Sequence, residues 1–185
     1  SHEETGTGWS YTRDLAVAAW CGAQAVAWQE FTQTGVVRRL RSRSGWAARW
    51  QARMDAPLHL LQGGFTAATP LQQPELPTLQ ALGLLPHGKT LQAAGEKAAR
   101  RTLQTFLQLR GQDYRKALSS PLTAEDGCSR LSPHLAFGTL SLRTVHQSTE
   151  VAIGRTPDRA MAYALRGFAG RLRWHCHFMQ KLEDQ

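Results

Sequence analysis

The residues best equipped for chemistry stand near the end of the chain. Arg171, Trp174, His175 and Phe178 fall at i, i+3, i+4 and i+7, so on a helix a guanidinium, an indole, an imidazole and a phenyl ring share one face. That grouping suits a nucleobase or a phosphate, with flat rings for stacking and cations for the backbone. Between Asp158 and Lys181 the segment carries five basic residues (Arg159, Arg166, Arg171, Arg173, Lys181) and no further acid, as expected beside a polyanion. A solvated basic face with Trp174 half buried would read the same way. His175-Cys176-His177 invites a metal reading, but consecutive helical residues point about 100° apart and do not converge on one ion, so no metal is expected.

A second dense constellation is Gly127-Cys128-Ser129-Arg130-Leu131-Ser132-Pro133: a flexible glycine, two hydroxyls, one guanidinium, and a helix opening at the proline. Exposed N–H groups at a helix start, flanked by Ser and Arg, favour a phosphate or diphosphate. Ser-x-x-Ser-Pro is also an ordinary way for a helix to begin. Tyr114, earlier in the chain, could pack on a cofactor or close the core.

These groups need elements to position them. Glu96 to about Arg110 carries Ala99, Leu103, Phe106 and Leu107 at helical spacing, and Tyr114 continues that face. Ser132-Pro133 reads as an N-cap with proline behind it, Ser141 can cap a helix through Val151, and Asp158 opens a long helix to about Lys181. On that helix Met161, Leu165, Phe168, Leu172 and Met179 form an apolar stripe that faces a core. Upstream, Thr12 can cap a helix over about 13–24, and a short strand is expected around Val26 to Phe31. Helix followed by strand fits the end of an α/β unit whose other strands lie upstream.

Charge divides the chain into blocks. Residues 1–35 hold 1 basic and 4 acidic residues, 36–53 hold 6 and 0, 54–88 hold 0 and 2, and 89–185 hold 15 and 8. Five of the eight prolines (Pro57, Pro70, Pro74, Pro77, Pro86) fall in the third block, so residues 55–88 are expected to link two parts. The formal net charge of +8 points to an anionic partner. Cys21, Cys128 and Cys176 lie far apart without paired spacing, which argues against a disulfide framework and for a reducing, cytoplasmic setting. No apolar run approaches the ~20 residues of a membrane span, and the start at Ser1 has no signal-peptide pattern.

Ser-Arg-Leu-Ser-Pro-His-Leu-Ala-Phe-Gly-Thr-Leu-Ser (129–141) resembles the flavin-binding motif of the DNA photolyase and cryptochrome family, and Gly-Arg-Leu-Arg-Trp-His-Cys-His-Phe (170–178) resembles its substrate-facing helix. Ser1 to Gly6 and Val36 to Trp46 are similar to the late part of that family's N-terminal domain. The resemblance implies a mainly α chain: residues 1–54 end a Rossmann-like α/β domain, 55–88 link, and 89–185 begin an all-helical FAD-binding domain. It implies FAD contacts at Tyr114, Cys128, Ser129, Arg130, Leu131, Ser132, Leu135 and Phe168. It implies a DNA-facing set of Arg171, Trp174, His175 and Phe178, with Trp174 in the catalytic role of stacking on a flipped-out pyrimidine dimer.

Cys128 stands where the family usually has threonine, and Arg171 and His175 replace its usual glutamate and arginine. The implied activity is blue-light-driven repair of the dimer by an electron lent from reduced FAD and returned after bond cleavage. The alternatives are a cryptochrome-like light sensor without repair and a basic helical module that only binds nucleic acid. The family's remaining flavin contacts and its tryptophan electron-transfer chain would lie after Gln185, and its antenna-binding sheet, with a second chromophore, before Ser1. The chain is therefore expected to be a central fragment of a monomeric protein whose partner is damaged DNA.

Overall fold

The computed structural model describes residues 8–59, 63–64, 75–85 and 88–184. Among these the chain is helical and contains no strand. The described residues up to Leu58 and from Ala94 onward make one compact unit, and 59–93 make another. In the second unit the described backbone turns at Thr78, whose Oγ1 accepts from Ala81 N at 3.1 Å. Ser1 to Gly6, with their family resemblance, and Pro70, Pro74 and Pro86 lie outside the described residues.

Helix α1 spans Gly8–Ala23. Thr12 does not cap it: its hydroxyl bonds back to the Gly8 carbonyl at 3.0 Å, one turn inside the helix. The strand expected over Val26 to Phe31 is not formed. Those residues are irregular, with an isolated bridge at Phe31, because a β-prone stretch without a pairing neighbour has no ladder to join. α2 (Trp46–Asp55) follows the arginine-rich segment. It buries Trp46, Trp50 and Met54 in the same core as the later helices.

Those later helices are α3 (Glu96–Gln108), a 3₁₀ turn (Arg110–Asp113), α4 (Tyr114–Ala117), α5 (Pro121–Gly127), α6 (Ser132–Ala136), α7 (Leu142–Arg155) and α8 (Arg159–Glu183). The caps explain the two long ones. Ser141 Oγ accepts from Thr144 N at 3.0 Å to start α7, and Asp158 Oδ1 accepts from Ala160 N and Met161 N at 2.8 and 3.3 Å to start α8. Ser132 is the first residue of α6 rather than its cap; Leu131 takes the cap position without a side-chain bond. α8 buries Met161, Ala164, Leu165, Phe168, Leu172 and Cys176 along one stripe, each large side chain contributing about 1.5–3 kcal/mol of burial.

The arginine-rich segment is fastened to the far end of α8 by one buried side chain. Gln180 Oε1 accepts from Val37 N at 2.7 Å and from Trp46 Nε1 at 3.1 Å, while Nε2 donates to Val37 O at 2.9 Å and Asp184 Oδ1 at 2.7 Å. Arg38 ties the same region to α1 through Asp14 at 2.9 Å and approaches Glu183 at 3.7 Å.

Candidate functional site

The expected site residues fall into two adjoining groups, and α8 carries part of both. Phe168, on the core stripe, packs edge-on against Phe106 of α3 at 4.7 Å and Tyr114 of α4 at 5.5 Å, and Tyr114 meets Phe106 at 5.6 Å. Tyr114 and Phe168 are buried, as is Leu131, and Leu135 packs against the same core. Burial pushes the Tyr114 hydroxyl up in pKa, the Cys128 thiol adds to the rise, and the charge of Arg171 opposes it.

Between α5 and α6 the run from Cys128 to Ser132 wraps over this cluster. Ser129 and Cys128 are half-buried, and Arg130 and Ser132 are exposed. Arg130 adopts a left-handed backbone, φ 60°, which turns the chain sharply before α6. Arg110, which nothing in the sequence singled out, organises the run: its guanidinium donates to the carbonyls of Cys128 at 2.5 Å, Asp126 at 3.2 Å, Ser129 at 3.4 Å and Thr102 at 3.1 Å. Arg130 and Ser132 are the exposed residues of the run, and the Arg130 guanidinium approaches Glu125 at 3.6 Å. Burial raises the Cys128 pKa, against the charges of Arg110 and Arg130, so the thiol stays protonated.

The second group lies on the open face of α8. Trp174 is 50% exposed and Phe178 54%. The Arg171 guanidinium lies over the Trp174 ring at 4.6 Å, and Phe178 meets Trp174 edge-on at 6.1 Å. His175 presents an exposed edge, yet the surrounding protein displaces enough water to lower its pKa from 6.5, leaving it neutral at pH 7. The three residues of the apparent metal run diverge as helical geometry requires: His175 is exposed, Cys176 is buried, and His177 turns toward Trp46 at 6.0 Å and Arg43 at 3.1 Å.

No family model matches the chain. Among curated proteins it is 34% identical over 107 residues to a deoxyribodipyrimidine photo-lyase of Halobacterium salinarum, an alignment covering 58% of this chain and 22% of the relative. A deoxyribodipyrimidine photo-lyase of Synechococcus sp. is 32% identical over 117 residues, covering 63% and 24%. Over these residues the chain is similar to both photolyases. An uncharacterised 31.6 kDa protein of another Synechococcus strain is 30% identical over 107 residues, 58% of this chain and 37% of that one. The chain thus spans less than a quarter of the length of the two photolyases it matches.

The structure brings together Tyr114 and Phe168 through their rings, and Arg171, Trp174 and Phe178 on one exposed face. Half-buried Ser129 and exposed Arg130 and Ser132 share the run that also contributes buried Leu131. Among the described residues no helix is long and apolar enough to cross a membrane.

Proposed function

We propose that this chain is the central part of a DNA photolyase-like flavoprotein that repairs cyclobutane pyrimidine dimers in the cytoplasm, acting as a monomer on damaged DNA. The observation that carries the reading is the pairing on α8: a core ring, Phe168, beside the Tyr114 cluster, and about 9 Å further along the axis an open, arginine-backed indole, Trp174. One rigid helix would then hold cofactor and lesion at a fixed separation.

The donor set fits FAD. Ser129, Arg130 and Ser132 supply hydroxyl and guanidinium donors for a diphosphate, and Leu131, Leu135, Tyr114 and Phe168 supply an apolar wall. Cys128 contributes a weak donor at the edge of that set. When bound and reduced, FAD supplies the light-driven electron that opens the dimer and takes it back. The protein's own part is positioning: Trp174 stacks on the extruded base, Phe178 walls its edge, and Arg171 and neutral His175 offer donors to its oxygens or to the adjoining phosphate.

The test is illumination of the full-length protein, purified with its chromophores, in the presence of dimer-containing DNA. Recovery of unmodified thymines is expected. A flavin photocycle without repair replaces this reading by a light sensor, and a colourless protein that takes up no flavin replaces it by simple nucleic-acid binding.

A further inference from the structure

The same face of α8 carries a second aromatic platform. Tyr163 precedes Trp174 by 11 residues. Eleven helical residues bring the chain round to within about 20° and advance it about 16 Å, so the two rings project from one face. Tyr163 is 58% exposed. Like Trp174 it is backed by a guanidinium: Arg115 of α4 lies over its ring at 4.2 Å.

The backing is built in. Arg115 reaches Tyr163 by crossing α8 at Gly167, where a Cβ would come within 3.2 Å of Arg115 Cγ and 3.4 Å of Cδ. A side chain at 167 would have to push the arginine stem aside. A Cβ at Gly170, one turn further, would meet open space, so beyond the Arg115 stem the surface between the two rings forms a low saddle. Arg159 and Arg166 stand one turn either side of Tyr163 and both are exposed. From Arg159 to Leu182 the helix contains no acidic residue.

We infer that Tyr163, with Arg115, Arg159 and Arg166, is a second nucleic-acid contact that holds the strand leading away from the nucleotide on Trp174. Two arginine-backed rings on a common face, a low saddle between them and cations alongside are the features of a track for a nucleic-acid strand: rings for bases, guanidinium groups for phosphates. At 3.4 Å per stacked nucleotide the separation corresponds to about five nucleotides. The inference rests on the DNA-binding reading of Trp174 and extends it along the helix.

The test uses the full-length protein and labelled single strands bearing one thymine dimer, with flanks of about two or about eight nucleotides, below and above the reach calculated from the stacked rise. Tyr163→Ala is expected to weaken the long strand by roughly 5- to 150-fold, the range for loss of one stacked base, and to leave the short strand unchanged. Tyr163→Phe keeps the ring and is expected to bind like the wild type. Arg159→Gln should lower the slope of log affinity against log salt by about 1 on the long strand only. Equal binding of both strands by wild type and Tyr163→Ala, or a Tyr163→Phe protein as weak as the alanine variant, overturns the inference. Trp174→Ala separates the two readings: loss on both strands with no effect of Tyr163→Ala leaves the Trp174 site standing and removes this contact. No effect of Trp174→Ala on either strand removes the site reading and with it the two-ring track, and loss with Tyr163→Ala on the long strand would then leave Tyr163 only as a separate nucleic-acid contact.

Discussion

Trp174 sits where a stacking residue and a structural residue predict opposite results. Half its surface is open, it is not among the buried core residues, and the ring contacts it makes are to Arg171 and Phe178, both also exposed. Trp174→Ala is therefore expected to shift the thermal midpoint and flavin content of the full-length protein little. It should weaken binding to dimer-containing DNA by about 1–3 kcal/mol, with a smaller effect on undamaged duplex. Calorimetry, flavin absorbance and paired binding titrations check this; a fall in midpoint and flavin together, as for a core indole costing about 3–5 kcal/mol, would mark Trp174 as scaffold.

His175 adds a pH signature to the same face. Although its ring edge is exposed, the protein around it displaces water and lowers its pKa below 6.5, so it is neutral at pH 7 and gains charge only in acid. A polyanion favours the charged form, so DNA affinity should rise as pH falls through that lowered value, and His175→Gln should remove that part of the rise. Titrations across pH 5–8 at fixed salt measure it.

At the level of elements, local signals were legible wherever they were sufficient. Ser141 and Asp158 announce α7 and α8, and the Ala99, Leu103, Phe106 series announces α3, because a cap or an amphipathic stripe is written within one or two turns. The strand expected at 26–31 does not form for the complementary reason: β-propensity needs a partner, and the partner is not local. The attachment of the arginine-rich segment to α8 spans 143 residues between Val37 and Gln180, and no periodicity records it. Arg110 is equally silent in sequence, since its role is to gather carbonyls from two other elements. Tyr163 was legible in principle, as an aromatic three turns before Trp174, but only the structure shows the arginine over it.

The Gln180 clasp yields a direct expectation. All four of its bonds go to groups in or beside the docked segment, and its own side chain is fully buried. Gln180→Leu keeps much of the volume but strands Val37 N–H, its carbonyl and the Trp46 indole N–H, each worth about 1–3 kcal/mol when left unsatisfied. A loss of roughly 2–5 kcal/mol is expected after partial rescue by water, read as a fall in denaturant midpoint. A loss under about 1 kcal/mol would mean the segment is held chiefly by Trp46 and Trp50 packing.

Across the whole molecule, three carboxylates tie parts of the chain that are distant in sequence. Asp14 of α1 bonds Arg38 at 2.9 Å, Asp184 beyond α8 bonds Arg43 at 2.7 Å, and Asp55 of α2 meets His146 of α7 at 3.0 Å. At Asp14 and Asp184 burial alone would raise the pKa, but Arg13 and Arg38 at the first, and Gln180 and Arg43 at the second, pull it below the ordinary 3.8. The hydrogen bond from Gln51 and the contact with His146 lower Asp55 likewise.

A carboxyl whose folded pKa is depressed stabilises the fold above its unfolded value and loses that contribution as pH falls through the folded one. His175 works in a higher window: its lowered pKa means the unfolded chain takes up a proton near 6.5 that the folded chain refuses until lower pH. Stability should therefore decline gently below pH 6.5 and steeply below about 3.8, with the growing positive charge of an already basic chain adding to the acid limb. Asp14→Asn should lower stability at pH 7 and flatten the acid limb, because the lost ion pair no longer titrates. Denaturant midpoints for wild type and Asp14→Asn from pH 2 to 8 test this; parallel curves would show that the Asp14–Arg38 contact contributes nothing to joining α1 to the rest.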